Sequence, residues 1–342
     1  MKRILLLGAG HAHLVVLRSL AQKPLYGARI TLVTPHAKQV YSGMLPGILA
    51  GHYRRPEAEI DVAALAERAY VELEQALVER LDLKRKLVFT KDGRRFAYDV
   101  ASLNVGSQIA RDFPGAALAL AVKPYDEFLA RLRIAERVAV VGAGVAGAEI
   151  AMALRYRGAQ VTLYAEKPAL SARVRKQLRK RGVDYRPGMA VTAIEPGFVV
   201  VSGSARQDFE LALLATGATP MPWLRSAGLA TDEPGFALVG ATLQSVSHPE
   251  IFAVGDCATL RETPHPKSGV YAVRHGEILV DNLRRLASDA ALEAYVPQKK
   301  ALALITCGAR YAIAQRGDWG AQGFSLWWWK DRIDRRWVRS FR

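Results

Sequence analysis

The chain has 342 residues, half of them apolar, enough for two domains each with its own core. No stretch approaches the ~20 unbroken apolar residues that span a bilayer; the two cysteines, Cys257 and Cys307, are too few for a disulfide framework or a zinc site, and no metal is expected. A formal charge of +16 favours polyanionic partners, although an arginine-rich habit of composition explains it as well.

Arg3 to Leu7 is an aliphatic run that stops at Gly8-Ala-Gly10, after which His11 to Leu20 carries apolar residues at helical spacing. This is the pattern of a buried parallel strand turning into a helix whose N-terminus faces a ligand. Gly8 makes the tight turn, and Gly10 lets backbone approach a pyrophosphate. The first N–H groups of the helix, from His11 and Ala12, hold the negative charge. His13 stands where a third glycine usually permits close helix–strand packing, so it is expected to point outward or to hold the helix away. The basic-then-apolar start imitates a secretion signal, but the glycine turn and the lack of a small-residue cleavage site favour a strand. Cytoplasmic residence is the default.

Ala28 to Thr34 reads as the second strand of this unit. Its last residue is usually acidic and takes the adenosine ribose; Thr34 offers one hydroxyl, so that contact is weaker or made by backbone near Pro35. Tyr41-Ser-Gly-Met-Leu-Pro-Gly47 reads as a loop able to lie on a flat ring through Ser42 and Met44, although an ordinary turn has the same composition. Asp61 to Tyr70 is expected to be an Asp-capped helix with Val62, Leu65 and Ala66 on one face. From Val71 to Gly106 short alternating strands are expected, with Val78 among them, broken at Lys91-Asp-Gly93 and leaving through Leu103-Asn-Val-Gly106-Ser.

Val138-Ala-Val-Val-Gly142-Ala-Gly144-Val-Ala-Gly147-Ala-Glu149 is a second strand–turn–helix, with all three glycines. A second strand to Tyr164, an alternating stretch from Val183 to Val201 and an exit through Leu213-Leu-Ala-Thr-Gly217-Ala repeat the earlier plan. The chain therefore holds two copies of one dinucleotide-binding design. After Tyr164 the ribose-binding acid is displaced by one place, to Glu166, or absent; Lys167 and Arg173 are what a 2′-phosphate would use, so NADH and NADPH both stay open. Ile251-Phe-Ala-Val-Gly255-Asp256 places an acid behind a glycine after a buried strand, suited to a sugar or ribitol hydroxyl or to a plain turn.

On these motifs the chain resembles the two-dinucleotide-binding-domain flavoproteins of the pyridine nucleotide–disulfide oxidoreductase superfamily, from residue 1 to about residue 300. The resemblance implies an α/β, glutathione reductase-like fold of two Rossmann-like domains. The FAD domain would occupy 1–108 and 242–300, the inserted NAD(P)H domain 109–241, and a C-terminal segment 301–342. It implies Gly8, Gly10, Val78, Gly106, Gly255, Asp256 and Ala272 around FAD. It likewise implies Gly142, Gly144, Gly147, Glu166 and Gly217 around NADH or NADPH. The likeness points to the type II NADH dehydrogenase-like branch and to the flavoprotein module fused to selenophosphate synthetase. That module shares Tyr41 to Gly47, His265-Pro-Lys-Ser-Gly-Val-Tyr-Ala-Val-Arg274 and Trp329-Lys-Asp-Arg-Ile-Asp334. The chain departs from the disulfide reductases, whose cysteine pair is replaced by Tyr41 to Gly47, and from the quinone-binding glutamines, absent from Gly269 to Arg274.

The implied activity is FAD-dependent transfer of hydride from NAD(P)H to a quinone-like or other small acceptor without a redox-active disulfide. The alternative is a non-catalytic or regulatory flavoprotein partner in selenium metabolism. Glu149 is expected to orient the nicotinamide or relay a proton, against the plainer role of a solvated helix residue. Lys123 and Lys267, each beside a proline, are candidates to stabilise negative charge at the flavin edge.

Leu326-Trp-Trp-Trp329 precedes thirteen residues that hold six basic and two acidic side chains. On a helix Trp329, Ile333, Trp337 and Phe341 form one stripe with arginines opposite. Such a stripe suits a membrane surface, which would place the protein peripherally on the cytoplasmic membrane face; it equally suits docking on the protein's own body or on a partner subunit in a homodimer. No nucleic-acid-binding module accompanies the aromatic and basic residues, and no nucleic acid is expected.

Overall fold

The computed structural model describes residues 1–133, 135–202 and 205–342. The first aliphatic run, Lys2–Leu7, is the middle strand of a five-stranded parallel sheet in the order Ile251–Ala253, Val100–Leu103, Lys2–Leu7, Ala28–Thr34, Glu72–Gln75. Ile4 to Leu7 are at most 3% exposed, because both faces of the sheet are covered; that is why the run does not alternate. The helices of this half are α1 (His11–Gln22), α2 (Leu45–Leu49) and α3 (Val62–Arg68). Asp61 caps α3 by accepting the Ala64 N–H at 2.9 Å, and Val62, Leu65 and Ala66 are buried.

The next helices are α4 (Tyr125–Arg131), α5 (Val145–Tyr156) and α6 (Ala172–Lys180). They accompany a second five-stranded parallel sheet in the order Leu120–Ala121, Leu211–Leu214, Arg137–Val141, Gln160–Ala165, Asp184–Pro187. Both sheets have the glycine-turn strand in the middle, the exit strand on one side and the second strand on the other. Each unit also carries a three-stranded antiparallel meander: Val78–Asp82, Leu87–Thr90 and Arg95–Ala97 in the first, and Val191–Glu195, Phe198–Val201 and Ala205–Asp208 in the second. The duplication of motifs is thus a duplication of topology. The two exits are joined, Gln108–Ile109 pairing antiparallel with Ala218–Thr219 and Thr216 Oγ1 donating to Ala110 O at 2.7 Å.

After α7 (Trp223–Ser226) the chain returns to the first sheet and enters α8 (Gly269–Ala287), which packs along α1. A Cβ at Gly276 would lie 2.5 Å from Ala12 O, so glycine is what lets the two helix backbones meet. A three-stranded antiparallel sheet, Ala303–Cys307, Ala309–Arg316 and Trp319–Gly323, leads into α9 (Phe324–Arg339).

Two expectations are corrected. Tyr41 to Gly47 is a 3-10 turn, Ser42–Met44, running into α2 rather than a loop. The segment bridges the two hydrophobic cores, Met44 lying in the first and Leu45 and Leu49 in the second. Backbone buried in this way needs internal hydrogen bonds, and Pro46 sits in the first turn, where its missing N–H costs nothing. The second correction concerns the tail. The face of α9 on the body is Trp327, Lys330, Asp331, Asp334 and Val338, whereas Trp329 and Ile333 of the expected stripe are 44% and 41% exposed. Only the end of that stripe docks, through partly buried Trp337 and buried Phe341. Among the described residues no helix is long and apolar enough to cross a membrane.

Candidate functional site

Gly8 and Gly142 close their strands at φ +83° and +105°, where glycine is favoured. A Cβ on either would strike the exit backbone, at Asn104 O (2.6 Å) and at Ala215 O (2.4 Å). Gly10 and Gly144 precede α1 and α5 with no capping side chain, and neither helix has an acid in its first turn. By contrast, α3 and α6 are capped by Asp61 and Ser171. Two uncapped helix starts at glycine turns leave N–H groups and a positive dipole end for an anion. Space for one exists: a Cβ built at Gly144, or at the exit glycines Gly106 and Gly217, meets no atom within 4 Å. These positions fit phosphates and flat rings. Gly10 differs from expectation, since its Cβ would lie 2.5 Å from Asn104 Oδ1 and packing therefore already demands the glycine.

His13 does not point outward. It is fully buried, with Nδ1 2.6 Å from Gly8 O and Nε2 2.8 Å from Ser102 Oγ. A carbonyl only accepts, so Nδ1 carries the proton and Nε2 accepts from the serine. In the second copy the backbone of Gly147 approaches the equivalent carbonyl, a Cβ there falling 2.0 Å from Gly142 O. An imidazole in one copy thus occupies the place of a close backbone contact in the other. Burial pulls the His13 pKa down to about 4. Asn104, unremarked in the sequence, is the node beside it: Oδ1 accepts the His13 N–H at 3.1 Å and Nδ2 donates to Val254 O at 2.9 Å. Its signal was a polar residue where the second exit has small Ala215.

The structure brings His11, Lys123, Gly255, Asp256 and Ala272 together. Lys123, a candidate for the flavin edge, places its Nζ 2.9 Å from Asp256 and 3.1 Å from Ser107 Oγ. Burial pushes the Asp256 pKa up, but Lys123 outweighs it and holds the carboxyl below its ordinary value. Burial pulls Lys123 down, and the charges of Tyr125 and Asp256 more than reverse that. Burial also lowers His11 to about 4. Tyr125 joins this group, its hydroxyl pushed up by burial amid Lys123, Asp256, Glu149 and Ser42. Ala272 packs on the Gly255 turn. Thr34 is buried with its carbonyl bonded to Ala76 N–H, and Pro35 is exposed. Val78 is a core residue of the first meander, and Glu166 is exposed just beyond the second strand of the other unit.

Glu149 is not a solvated helix residue. Its Oε1 accepts the N–H and the hydroxyl of Thr306 at 2.7 and 2.9 Å. Burial raises its pKa, opposed by Lys330 and by Thr306. Lys330, one of the six basic residues of the tail, is buried; it donates to Gly43 O at 2.7 Å and pairs with Asp334, one helical turn on. Tyr41 Oη lies 3.4 Å from Asp334 Oδ1. The i,i+4 spacing of Lys330 and Asp334 was the available signal.

Lys267, the third catalytic candidate, donates to Thr259 Oγ1 at 2.7 Å and to Ala258 O, lies 4.1 Å from the Phe236 ring centre, and has its pKa lowered by burial. It braces the strand after Asp256. Two histidines brace the turn before it. Gly255 N–H donates to His275 Nδ1 at 3.0 Å, so His275 carries its proton on Nε2 and donates to His265 Nε2 at 3.0 Å. His265 then donates through Nδ1 to Pro266 O at 3.1 Å. Burial takes His275 down to about 3. Cys257 and Cys307 are free and buried, and burial pushes their thiols up to about 11 and about 12. Among the described residues no His, Cys, Asp or Glu cluster is arranged to hold a metal.

The family model for pyridine nucleotide-disulphide oxidoreductases matches residues 2–276. The nitric oxide reductase FlRd-NAD(+) reductase of Aeromonas salmonicida is 33% identical over 200 residues, 53% of this chain. The match spans only half the length of that relative (50%). The NADH dehydrogenase-like protein YutJ of Bacillus subtilis is 24% identical over 323 residues, 88% of each chain. The sulfide:quinone oxidoreductase of Aquifex aeolicus shares the fold at a TM-score of 0.81 and 17% identity, over 100% of this chain and 92% of that one.

Proposed function

Because this chain belongs to the pyridine nucleotide-disulphide oxidoreductase family, which binds FAD and NADH or NADPH, we propose that it carries electrons from NAD(P)H to a quinone-like or other small acceptor without a redox-active disulfide. One observation supports this above the others: the uncapped glycine-turn helix occurs twice, on two sheets of one strand order, and the two exits are hydrogen-bonded to each other. Two dinucleotides held there would lie on either side of one seam.

FAD, when bound, supplies the two-electron chemistry that no side chain offers. The residues of the chain hold and orient. Gly8, Gly10, His11 and Ala12 present the N-terminal end of α1 to its pyrophosphate. Asp256, kept ionised by Lys123, accepts a ribitol hydroxyl. Thr34, Pro35, Ser42, Met44, Gly106 and Ala272 border the remainder. On the other side Gly142, Gly144 and Gly147 take the nicotinamide dinucleotide, with Glu166 toward its ribose and Gly217 at its exit. Glu149, anchored by Thr306 and shifted up in pKa by burial against the opposing charge of Lys330, is suited to orient the nicotinamide or relay a proton. The buried, unshared thiols of Cys257 and Cys307 support a route without disulfide exchange.

The test is direct. Anaerobic addition of NADH or NADPH to the yellow holoprotein should bleach the oxidised-flavin band at about 450 nm. A band unchanged by both donors rejects the oxidoreductase reading.

A further inference from the structure

Two adjoining cavities, about 430 Å³ and about 310 Å³, open beside the start of α8 and meet at Leu302 and Arg316. Trp319 and Trp329 wall one of them; Arg274 and Lys300 line the other. Val270, itself 43% exposed, borders the second cavity next to Gly269, where a Cβ would lie 3.6 Å from His11 Nε2. The groove is an open surface depression that borders the start of α8, whose Ala272 packs on the Gly255 turn.

Its charge is unmatched. Among the described residues Arg274 and Arg316 enter no ion pair, and Lys300 reaches only Asp318, at 3.8 Å, whose side chain is fully exposed. No carboxylate lines either cavity. Indole faces receive flat rings, and guanidinium forks match the paired oxygens of a sulfonate, carboxylate or phosphate.

We propose that this groove is the electron-acceptor site and that it selects a quinone bearing an anionic group. The inference rests on the oxidoreductase reading above and adds the acceptor class. In the overall reaction a C–H bond of NAD(P)H breaks and its hydrogen leaves with the electron pair. The quinone gains two electrons and two protons, one derived from that hydride and one from solvent. NAD(P)⁺ and the hydroquinone are the products.

Kinetics of the holoprotein with 1,2-naphthoquinone-4-sulfonate and with unsubstituted 1,2-naphthoquinone test the charge, the arginine variants and added salt separating it from the difference in reduction potential. The kcat/KM ratio should favour the sulfonate by about tenfold, the size of one charge-assisted contact, and should shrink with added salt. In Arg316→Ala and Arg274→Ala the ratio should fall toward one. Trp329→Ala should weaken both quinones alike. Quenching of tryptophan fluorescence by each quinone, without NAD(P)H, should give the same order of affinity. A wild-type ratio near one, or a ratio that both arginine variants preserve while NAD(P)H still bleaches the flavin, overturns the assignment. Failure of bleaching overturns the oxidoreductase reading and this proposal with it, so the two failures are told apart.

Discussion

Residues that differ by a few atoms hold the two cradles in different ways. At Gly144 the Cβ direction is open, whereas at Gly147 it is blocked by Gly142 O at 2.0 Å. Gly144→Ala should therefore fold with an unchanged melting temperature yet occupy the room that a pyrophosphate needs, raising the KM for NAD(P)H about tenfold. An unchanged KM would show that nothing approaches there. The buried histidines make a prediction about pH. His11, His13 and His275 sit at about 4, 4 and 3 in the folded chain, against about 6.5 when unfolded. Folded values below the unfolded value mean that the unfolded chain binds more protons as pH falls from about 6.5 toward 4, so stability drops on acidification through that window. Each histidine contributes a slope of about 1.4 kcal/mol per pH unit. Glu149 and Asp334, raised by burial, act in the opposite direction. The check is therefore a difference: His275→Leu, followed by urea unfolding between pH 7 and pH 4.5, should show a shallower acid loss than the parent chain.

At the scale of elements, α2 and α9 are where local pattern and outcome part. The composition of Tyr41 to Gly47 matched a turn because two glycines and a proline sit close together. The structure uses Gly47 to admit the Tyr53 ring, 2.3 Å from a Cβ built there, and Pro46 to start a helix. For α9, periodicity found an apolar stripe, yet the helix turns its Lys330–Asp334 pair inward because Gly43 O and Tyr41 Oη stand ready to receive it. Removing one member of a buried pair strands the other charge. Lys330→Met should cost about 3–5 kcal/mol in chemical denaturation, and the double change with Asp334→Leu should recover most of it. Equal losses in the single and double variants would show that the pair is merely adjacent.

Over the whole molecule, two copies of one fold are tied at their exits; beyond the region that the family model matches, the three-stranded sheet packs on the second core and α9 on the first. The formal charge of +16 has a local meaning here. Many arginines are paired at the surface, such as Arg3 with Asp99 and Arg29 with Glu72, while Arg274 and Arg316 are left facing a groove. A total charge cannot tell these apart; position in the fold does.

What the amino-acid order determined by itself was whatever depends on neighbours along the chain. A strand stopping at a glycine, a helix that starts uncapped, an Asp cap at Asp61 and the repetition of the plan follow from spacing and backbone sterics, which act within a few residues. Tertiary structure decided which side chains meet across the chain, and so which are charged, buried or free. Lys123 and Asp256 are partners, His13 is an internal donor rather than an outward side chain, and Lys330 lies below Gly43. Burial and Coulomb energies depend on distances that only folding sets, and for that reason no run of letters displayed them.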